Sequence, residues 1–147
     1  MRRAIAGTAL AFGLAAAACH GPAAIEPSWP ELQAKRNEIT ALWTQIRAWR
    51  HEGGMAVEPD DDAVMAMQRT SAAGAARACA LPTPPPPRCV DVCEIGGAIC
   101  DNAEDICAIA DELGNDTWAK EKCDSAKASC REAQERCCEC DEQEGAP

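Results

Sequence analysis

The chain has few of the residues from which large hydrophobic cores and ordinary active sites are built. Of its 147 residues, four are Trp, one is Phe and none is Tyr, and much of its apolar fraction is alanine, which buries little area. Its only histidines are His20 and His51, so few side chains can act as general bases near neutral pH. It contains no GxSxG, HExxH or glycine-rich phosphate loop. These absences argue against an enzyme and predict a thin core that needs cross-links.

Basic residues are also scarce. The chain has 24 acidic and 14 basic residues, which gives a net charge of −10. Loss of Arg2 and Arg3 with a cleaved leader would make it −12. Such a surface repels nucleic acid and anionic lipid headgroups. We therefore expect no nucleic-acid partner, and any membrane contact should run through an attached lipid.

The amino terminus has the pattern of an export signal. Arg2 and Arg3 precede an uncharged apolar run over residues 4–18, which is too short to span a membrane. The small residues before Cys19 resemble a bacterial lipobox, although Ala16 stands where leucine is preferred. The resemblance implies that residues 1–18 are a cleaved signal peptide, that Cys19 carries a lipid anchoring the chain to a membrane, and that residues 19–27 are a linker. His20, where an Asp would favour inner-membrane retention, implies the outer membrane.

Six cysteines form two ladders with a spacing of seven, and the ladders mirror each other about Asn115. A spacing of seven places the members of each ladder on one face of a helix. Equal distances from a turn bring two such faces into register when the chain doubles back. The pattern therefore predicts an all-α fold built on an antiparallel helical hairpin with three disulfide rungs: Cys93–Cys137, Cys100–Cys130 and Cys107–Cys123.

The residues between the cysteines favour the same hairpin. Only small side chains share the seam with the ladders, and these let two helices approach closely enough for disulfides to form. Leu113-Gly114 is typical of a helix end, and residues 115–117 offer caps for the next helix. The seam positions are Gly96, Ala103 and Ala110 on the first helix and Ala119, Ala126 and Ala133 on the second.

The other cysteines extend the ladder. If Cys19 carries a lipid, ten of the eleven cysteines remain, an even number that suits a fully oxidised scaffold in the periplasm or at the cell surface. Cys89 and Cys140 share the seam register and predict a fourth rung, Cys89–Cys140. Cys79–Cys138 is then the pair left by exclusion.

A metal site is the alternative use of these thiols. Cys137, Cys138 and Cys140 form a cluster that could hold a soft ion such as Cu(I). The one CxxC spacing of the chain, Cys137 to Cys140, lies inside this cluster. Both histidines lie far from it in sequence, which argues against zinc. We expect Met65 and Met67 to fill space in a core rather than to bind copper. The prediction is structural disulfides, with no cofactor and no resident metal.

The rest of the chain divides into further segments. Ser28 and Pro30 favour a helix start, and Gly53-Gly54 a helix end; residues 28–80 are expected to be an amino-terminal helix pair whose second helix runs from Asp60 towards Cys79. Residues 81–88 are a proline-rich spacer, residues 89–141 the cysteine-rich hairpin, and residues 142–147 a disordered tail. The first helix carries an apolar stripe: Leu32, Ile39, Leu42, Ile46 and Trp49, widened by Trp43.

A second apolar stripe runs beside the cysteines of the outgoing hairpin helix, at Val92, Ile99, Ile106 and Leu113. It is expected to dock on the amino-terminal helix; the alternative is an exposed groove for a protein partner. The outgoing helix is acidic and the returning helix carries the basic residues. Charge pairs between the two should favour the hairpin modestly.

The cysteine pattern C-x3-C-x6-C-x6-C-x15-C-x6-C-x6-CC-x-C over residues 89–140, together with the helix at Trp43–Arg50, resembles small cysteine-rich lipoproteins of myxobacteria. The resemblance implies an exported envelope protein and supplies no catalytic or binding residue. The function expected from the sequence is that of a cell-envelope lipoprotein acting as a non-catalytic structural or protein-interaction module, with an envelope protein as a possible partner. The alternative function is periplasmic binding or storage of copper.

Overall fold

A computed structural model describes residues 27–79 and 84–142. The predicted signal peptide, Cys19, most of its linker, residues 80–83 of the spacer and residues 143–147 lie outside the described residues. The described residues contain no strand and form a 3-10 turn at Pro87–Cys89 and five helices. These are α1 (Trp29–Glu52), α2 (Asp61–Met67), α3 (Ala72–Ala75), α4 (Val90–Leu113) and α5 (Thr117–Glu142). The predicted all-α class is confirmed.

α4 and α5 form the predicted hairpin. α4 ends at Leu113, and Gly114 takes a φ of 61°, a conformation that glycine adopts without steric cost. α5 begins at Thr117 because the Asp116 side chain caps it, its Oδ1 accepting the backbone N–H of Ala119 at 3.1 Å. The turn therefore lies where the sequence places it.

The seam between α4 and α5 is made of buried small residues. A Cβ added to Gly96 would lie only 3.3 Å from the backbone oxygen of Ala133, so the two backbones approach closely here. A side chain at the neighbouring Gly97 would meet nothing within 4 Å. Ala103, Ala110, Ala119, Ala126 and Ala133 are all buried as well. The small residues thus allow the close approach that the disulfides need.

α1 packs along the hairpin and shares one core with it. It begins after Ser28, whose backbone N–H and hydroxyl both donate to the Glu31 carboxylate, at 2.8 and 2.6 Å. Its buried residues are Ile39, Trp43, Ile46 and Arg50, whereas Leu42 and Trp49 of the expected stripe are only partly buried. The buried face is therefore offset from the predicted one, because α1 contacts both α4 and α5 rather than a single helix.

The apolar stripe of α4 faces α1. Ile99, Ile106 and Leu113 are buried in the same cluster as Ile39 and Ile46 of α1. Asn102, on the same face, donates through Nδ2 to the backbone oxygen of Leu42 at 3.3 Å and to Gln45 at 3.1 Å. The stripe docks on the amino-terminal helix as expected, and the alternative of an exposed groove is wrong.

The sequence predicted a single second helix in the amino-terminal segment. The structure has two short helices there, so this prediction is wrong. α2 ends at Met67, and α3 starts anew at Ser71, whose Oγ accepts the N–H of Gly74 at 3.0 Å. The break is stabilised by Lys127 of α5, which donates to the backbone oxygens of Met67 and Thr70. A continuous helix would use the Met67 oxygen internally, so the lysine favours the interruption. α2 packs on α5, and α3 packs on both hairpin helices.

Candidate functional site: the disulfide ladder and the cationic clamp

Five disulfides join the ten cysteines of the described residues. The three rungs within the hairpin have Cα–Cα distances of 4.9 Å (Cys93–Cys137), 4.6 Å (Cys100–Cys130) and 4.7 Å (Cys107–Cys123). Cys89–Cys140 spans 5.8 Å and Cys79–Cys138 spans 6.1 Å. All lie within the range that disulfides require. The five pairs are the same as those expected from the mirror symmetry, the seam register and exclusion.

The rungs differ in their access to solvent. Cys100 and Cys130 are buried, and Gln134 of α5 directs its Nε2 at the sulfur of Cys100 at 3.5 Å. Cys107 and Cys123, next to the turn, are partly exposed and border a surface depression of about 550 Å³ together with Lys120. A thiol reductant therefore reaches the rung nearest the turn more easily than the central one.

The three cysteines of the alternative copper site are separated by their bonding. Cys137 is joined to α4, Cys140 to the start of that helix, and Cys138 to Cys79 beyond α3. A sulfur in a disulfide is not a thiolate, and Cu(I) binds thiolates. Within residues 27–79 and 84–142, no group of three or more His, Cys, Asp or Glu side chains is arranged to hold a metal ion.

The ladder indicates where the protein resides. Five disulfides in so short a chain are typical of an oxidising compartment outside the cytosol. Over the described parts of the chain, no helix has both the length and the apolar character needed to cross a bilayer.

A cationic clamp holds the irregular segment between α1 and the spacer. We use this name for Arg50, Lys127, Arg131 and Arg136, whose side chains donate to backbone oxygens of residues 53–77. Lys127 binds Met67 at 2.8 Å and Thr70 at 2.9 Å. Arg131 binds Gly74 at 2.8 Å and Arg77 at 3.1 Å, and Arg136 binds Gly53 at 2.7 Å and Gly54 at 3.2 Å. Three side chains of α5 thus supplement the few backbone hydrogen bonds of this segment.

Arg50 is the most deeply buried member of the clamp. Only 1% of its surface is exposed, and its Nε donates to the oxygen of Ala56 at 2.7 Å. Its Nη2 donates to the oxygen of Glu58 at 3.2 Å and to the Glu132 carboxylate of α5 at 2.7 Å. Sequence patterns did not single out this residue. The available signal was its position four residues after Ile46, in register with the buried face of α1.

The expected charge pairing between α4 and α5 is wrong. Among the ion pairs of the described residues, none joins an acid of α4 to a base of α5. Lys127 instead pairs with Asp124 of its own helix at 2.8 Å, and Lys122 lies 5.1 Å from the ring centre of Trp43 on α1. The seam brings small residues together, and most long basic side chains of α5 contact α1 or residues 53–77 instead of the acids of α4. These side chains are Lys122, Lys127, Arg131 and Arg136.

The start of α1 is tied to the hairpin turn by charge. Arg36 grips Asp116 with two hydrogen bonds, from Nε at 2.8 Å and from Nη2 at 3.1 Å, and lies 5.5 Å from the ring centre of Trp118. The hydrogen bonds from Arg36 lower the pKa of Asp116, and the same contact raises the pKa of Arg36. Lys35 binds Glu112 at 2.8 Å, and this bond raises the pKa of Lys35. Sequence patterns do not reveal this contact, because it joins residues 80 positions apart.

A second depression, of about 440 Å³, is lined by Arg50, Glu132 and Arg136 among others, but two of these groups already bind each other. His51 is exposed at the end of α1, and His20 lies outside the described residues. The disulfide ladder and the cationic clamp both join parts of the protein to one another.

Fold and site together define the class as a disulfide-rich, all-α protein built around a stapled hairpin. Comparisons of the chain with models of protein families, with curated proteins and with solved structures find no match.

Proposed function

We propose that this protein is an exported lipoprotein of the bacterial cell envelope, anchored through Cys19, in which the stapled hairpin serves as a rigid, non-catalytic structural or protein-interaction module. The outer membrane is the proposed location, since His20 follows Cys19. The proposal combines the signal-like amino terminus with the bonding of the cysteines.

The observation that carries the proposal is the use of the cysteines. The five disulfides take ten of the eleven, and the remaining one is Cys19. That residue directly follows the small residues Ala15–Ala18. An unbonded cysteine is a liability in an oxidising compartment, and acylation of its sulfur would remove that liability. The oxidised scaffold and the lipobox-like segment thus support the same interpretation.

A structural role is supported by the contacts of the cysteines and of the buried cations. The thiols are used in bridges, and the buried cations bind backbone oxygens and neighbouring carboxylates. The acids of α4 that remain, including Asp101, Glu104 and Asp105, are exposed. A rigid body with a polar surface suits a spacer, or a module that presents a fixed surface to an envelope partner.

Mass spectrometry of the intact protein purified from envelope membranes tests the anchor. We expect loss of residues 1–18 and an added mass of acyl chains at Cys19. Cys19→Ala should leave the chain without acyl mass and release it from the membrane fraction. His20→Ala is the matched control and should remain acylated, whereas His20→Asp should shift the acylated protein to the inner membrane. An unmodified Cys19 in membrane-associated protein would refute the proposal.

Thiol titration and metal analysis of the same sample separate the module from a copper protein. The module predicts almost no free thiols and no bound copper without reduction. Several free thiols with stoichiometric copper would favour the alternative, with Cys137, Cys138 and Cys140 as the first ligands to substitute.

A further inference from the structure

Trp29, at the start of α1, is the most exposed large apolar side chain among the described residues. Trp29 is 69% exposed, whereas Trp43 is 6% exposed and Trp49 and Trp118 are partly buried. Exposure of most of an indole to water is unfavourable. Trp is also the residue most typical of membrane interfaces, where its ring lies at the level of the headgroups.

Trp29 lies at a defined end of the molecule. The first turns of α1 are joined to the hairpin turn by the contacts of Lys35 with Glu112 and of Arg36 with Asp116. The other end of α1 lies beside the opposite end of the hairpin, where Arg136 donates to the oxygen of Gly53. α1 therefore runs from the hairpin turn towards the end that carries the bridges of Cys89, Cys93 and Cys79.

A second tryptophan lies at the same end. Trp118 is the second residue of α5, and its ring is covered on one side by Arg36. The turn end thus carries Trp29 and Trp118, while the far end carries three of the five disulfides. Two tryptophans at one end of a helical bundle resemble the aromatic belts that mark the boundary of a bilayer.

The proposed lipid attaches on the same side. Trp29 follows Cys19 by ten positions, and a chain of that length reaches at most about 35 Å when fully extended. The length of α1, about 36 Å for its 24 residues, is comparable. The anchor therefore brings the start of α1 to the membrane more readily than its end. Among the orientations that this tether permits, burial of the exposed indole favours the one with Trp29 at the membrane.

We propose that Trp29 inserts into the headgroup region of the bilayer, so that the protein stands with its hairpin turn towards the membrane and its disulfide-rich end away from it. This inference rests on the lipid anchor proposed above. A single indole binds too weakly to hold the protein alone, so it orients a body that the acyl chains retain. Of the acids at this end, Glu112 and Asp116 are paired with Lys35 and Arg36. The chain as a whole carries a net charge of −10, and this disfavours anionic lipid. The surface that fits is a zwitterionic one.

Fluorescence of the acylated full-length protein in phosphatidylcholine vesicles with brominated acyl chains tests this orientation. Bromine quenches tryptophan emission only at short range. We expect quenching of the wild type, and loss of most of it in Trp29→Ala, with a small remainder from Trp118. Trp49→Phe, at the other end of α1, is the matched control. Because it removes an emitter far from the membrane, it should lose at least as large a fraction of its emission as the wild type. Replacing part of the phosphatidylcholine with phosphatidylglycerol should weaken the quenching.

The intact mass of each sample separates the two proposals. Acylated protein whose quenching is unchanged by Trp29→Ala overturns the orientation and leaves the anchor standing. Protein that carries no acyl mass overturns the anchor, and the orientation falls with it. Trp29 is exposed, so Trp29→Ala should keep the thermal stability of the wild type, and this is to be checked before the vesicle measurement.

Discussion

The hairpin and the segment over residues 53–79, called here the regular and the irregular half, are held in place by different physical means. The hairpin of α4 and α5 is a regular structure in which small residues bring two helices close and four disulfides fix their register. Residues 53–79 are largely irregular and are held by side chains of Arg50, Lys127, Arg131 and Arg136 that bind backbone oxygens. One disulfide of this chain, Cys79–Cys138, reaches that segment.

The difference shows which additional interactions stabilise each half. A small-residue seam buries little apolar area, so covalent bridges supplement it. An irregular segment leaves backbone oxygens without helical partners, so cations supplement those. The hairpin should therefore be sensitive to oxidation state and to side-chain size at the seam. The amino-terminal segment should be sensitive to the loss of single cationic side chains.

The largest effect expected is that of Arg50→Ala. It leaves the oxygens of Ala56 and Glu58 and the carboxylate of Glu132 without their donor, and we expect a loss of about 3–5 kcal/mol in the free energy of unfolding. Arg47→Ala on the same helix is the matched control. Its ion pair with Glu58 is exposed, so the loss should stay below about 1 kcal/mol. Urea unfolding of the oxidised proteins measures both, and equal losses would contradict the clamp.

Removal of the Cys79–Cys138 bridge should be next in size. Replacement of both cysteines by alanine is expected to cost about 2–4 kcal/mol, the usual contribution of a native disulfide. The physical reason is greater freedom of residues 53–79, so hydrogen exchange should accelerate in α2 and α3 and change little at the centre of α4. Loss of Cys100–Cys130 is the control and should show the reverse distribution. Uniform acceleration in both variants would mean that the two halves do not differ.

The seam is tested by two adjacent glycines. Gly96→Ala places a methyl group 3.3 Å from the oxygen of Ala133, so the Ala133 backbone must shift by a few tenths of an ångström. The bridges of Cys93 and Cys100 on either side resist that shift, and we expect a destabilisation of about 1–3 kcal/mol. Gly97→Ala meets no atom within 4 Å and should stabilise α4 by about 0.5–1 kcal/mol, because alanine is the better helix former. Thermal unfolding of the two variants should shift in opposite directions. A shift in the same direction would contradict the close approach of α4 and α5.

The smallest effect concerns pH at the turn. Arg36 lowers the pKa of Asp116, so the ionised carboxylate stabilises the folded state at pH values above its unfolded pKa of about 3.9. That contribution is lost as the pH falls through the lowered value of the folded state. Asp116→Asn keeps a capping residue and should be less stable than the wild type at neutral pH, with the two converging in acid. Arg36→Gln should behave in the same way, and a constant difference at every pH would exclude the ion pair as the cause.

Sequence patterns predicted the regular half better than the irregular half. The spacing of the cysteines and the small residues between them depend on helical periodicity alone, so α4, α5 and their turn follow from local rules. The break between Met67 and Ser71 does not, because it is stabilised by Lys127 from a helix nearly sixty residues away. The buried face of α1 was offset for a related reason. Periodicity gives one stripe, whereas α1 contacts two helices and buries Arg50 where a stripe predicts an apolar residue.

Peptide mapping of the non-reduced protein, with free thiols blocked during purification, tests the central claim most directly. Asp, Glu, Lys and Arg residues lie between the three rungs of the hairpin, so specific proteases can separate these rungs and mass spectrometry can identify the linked peptides. The adjacent Cys137 and Cys138 stay on one peptide, which should be linked both to the peptide of Cys93 and to that of Cys79. The account predicts that Cys100 is joined to Cys130, with Cys93–Cys137 on one side and Cys107–Cys123 on the other. A peptide that links Cys100 to any other cysteine, or that carries it as a blocked thiol, would contradict the stapled hairpin.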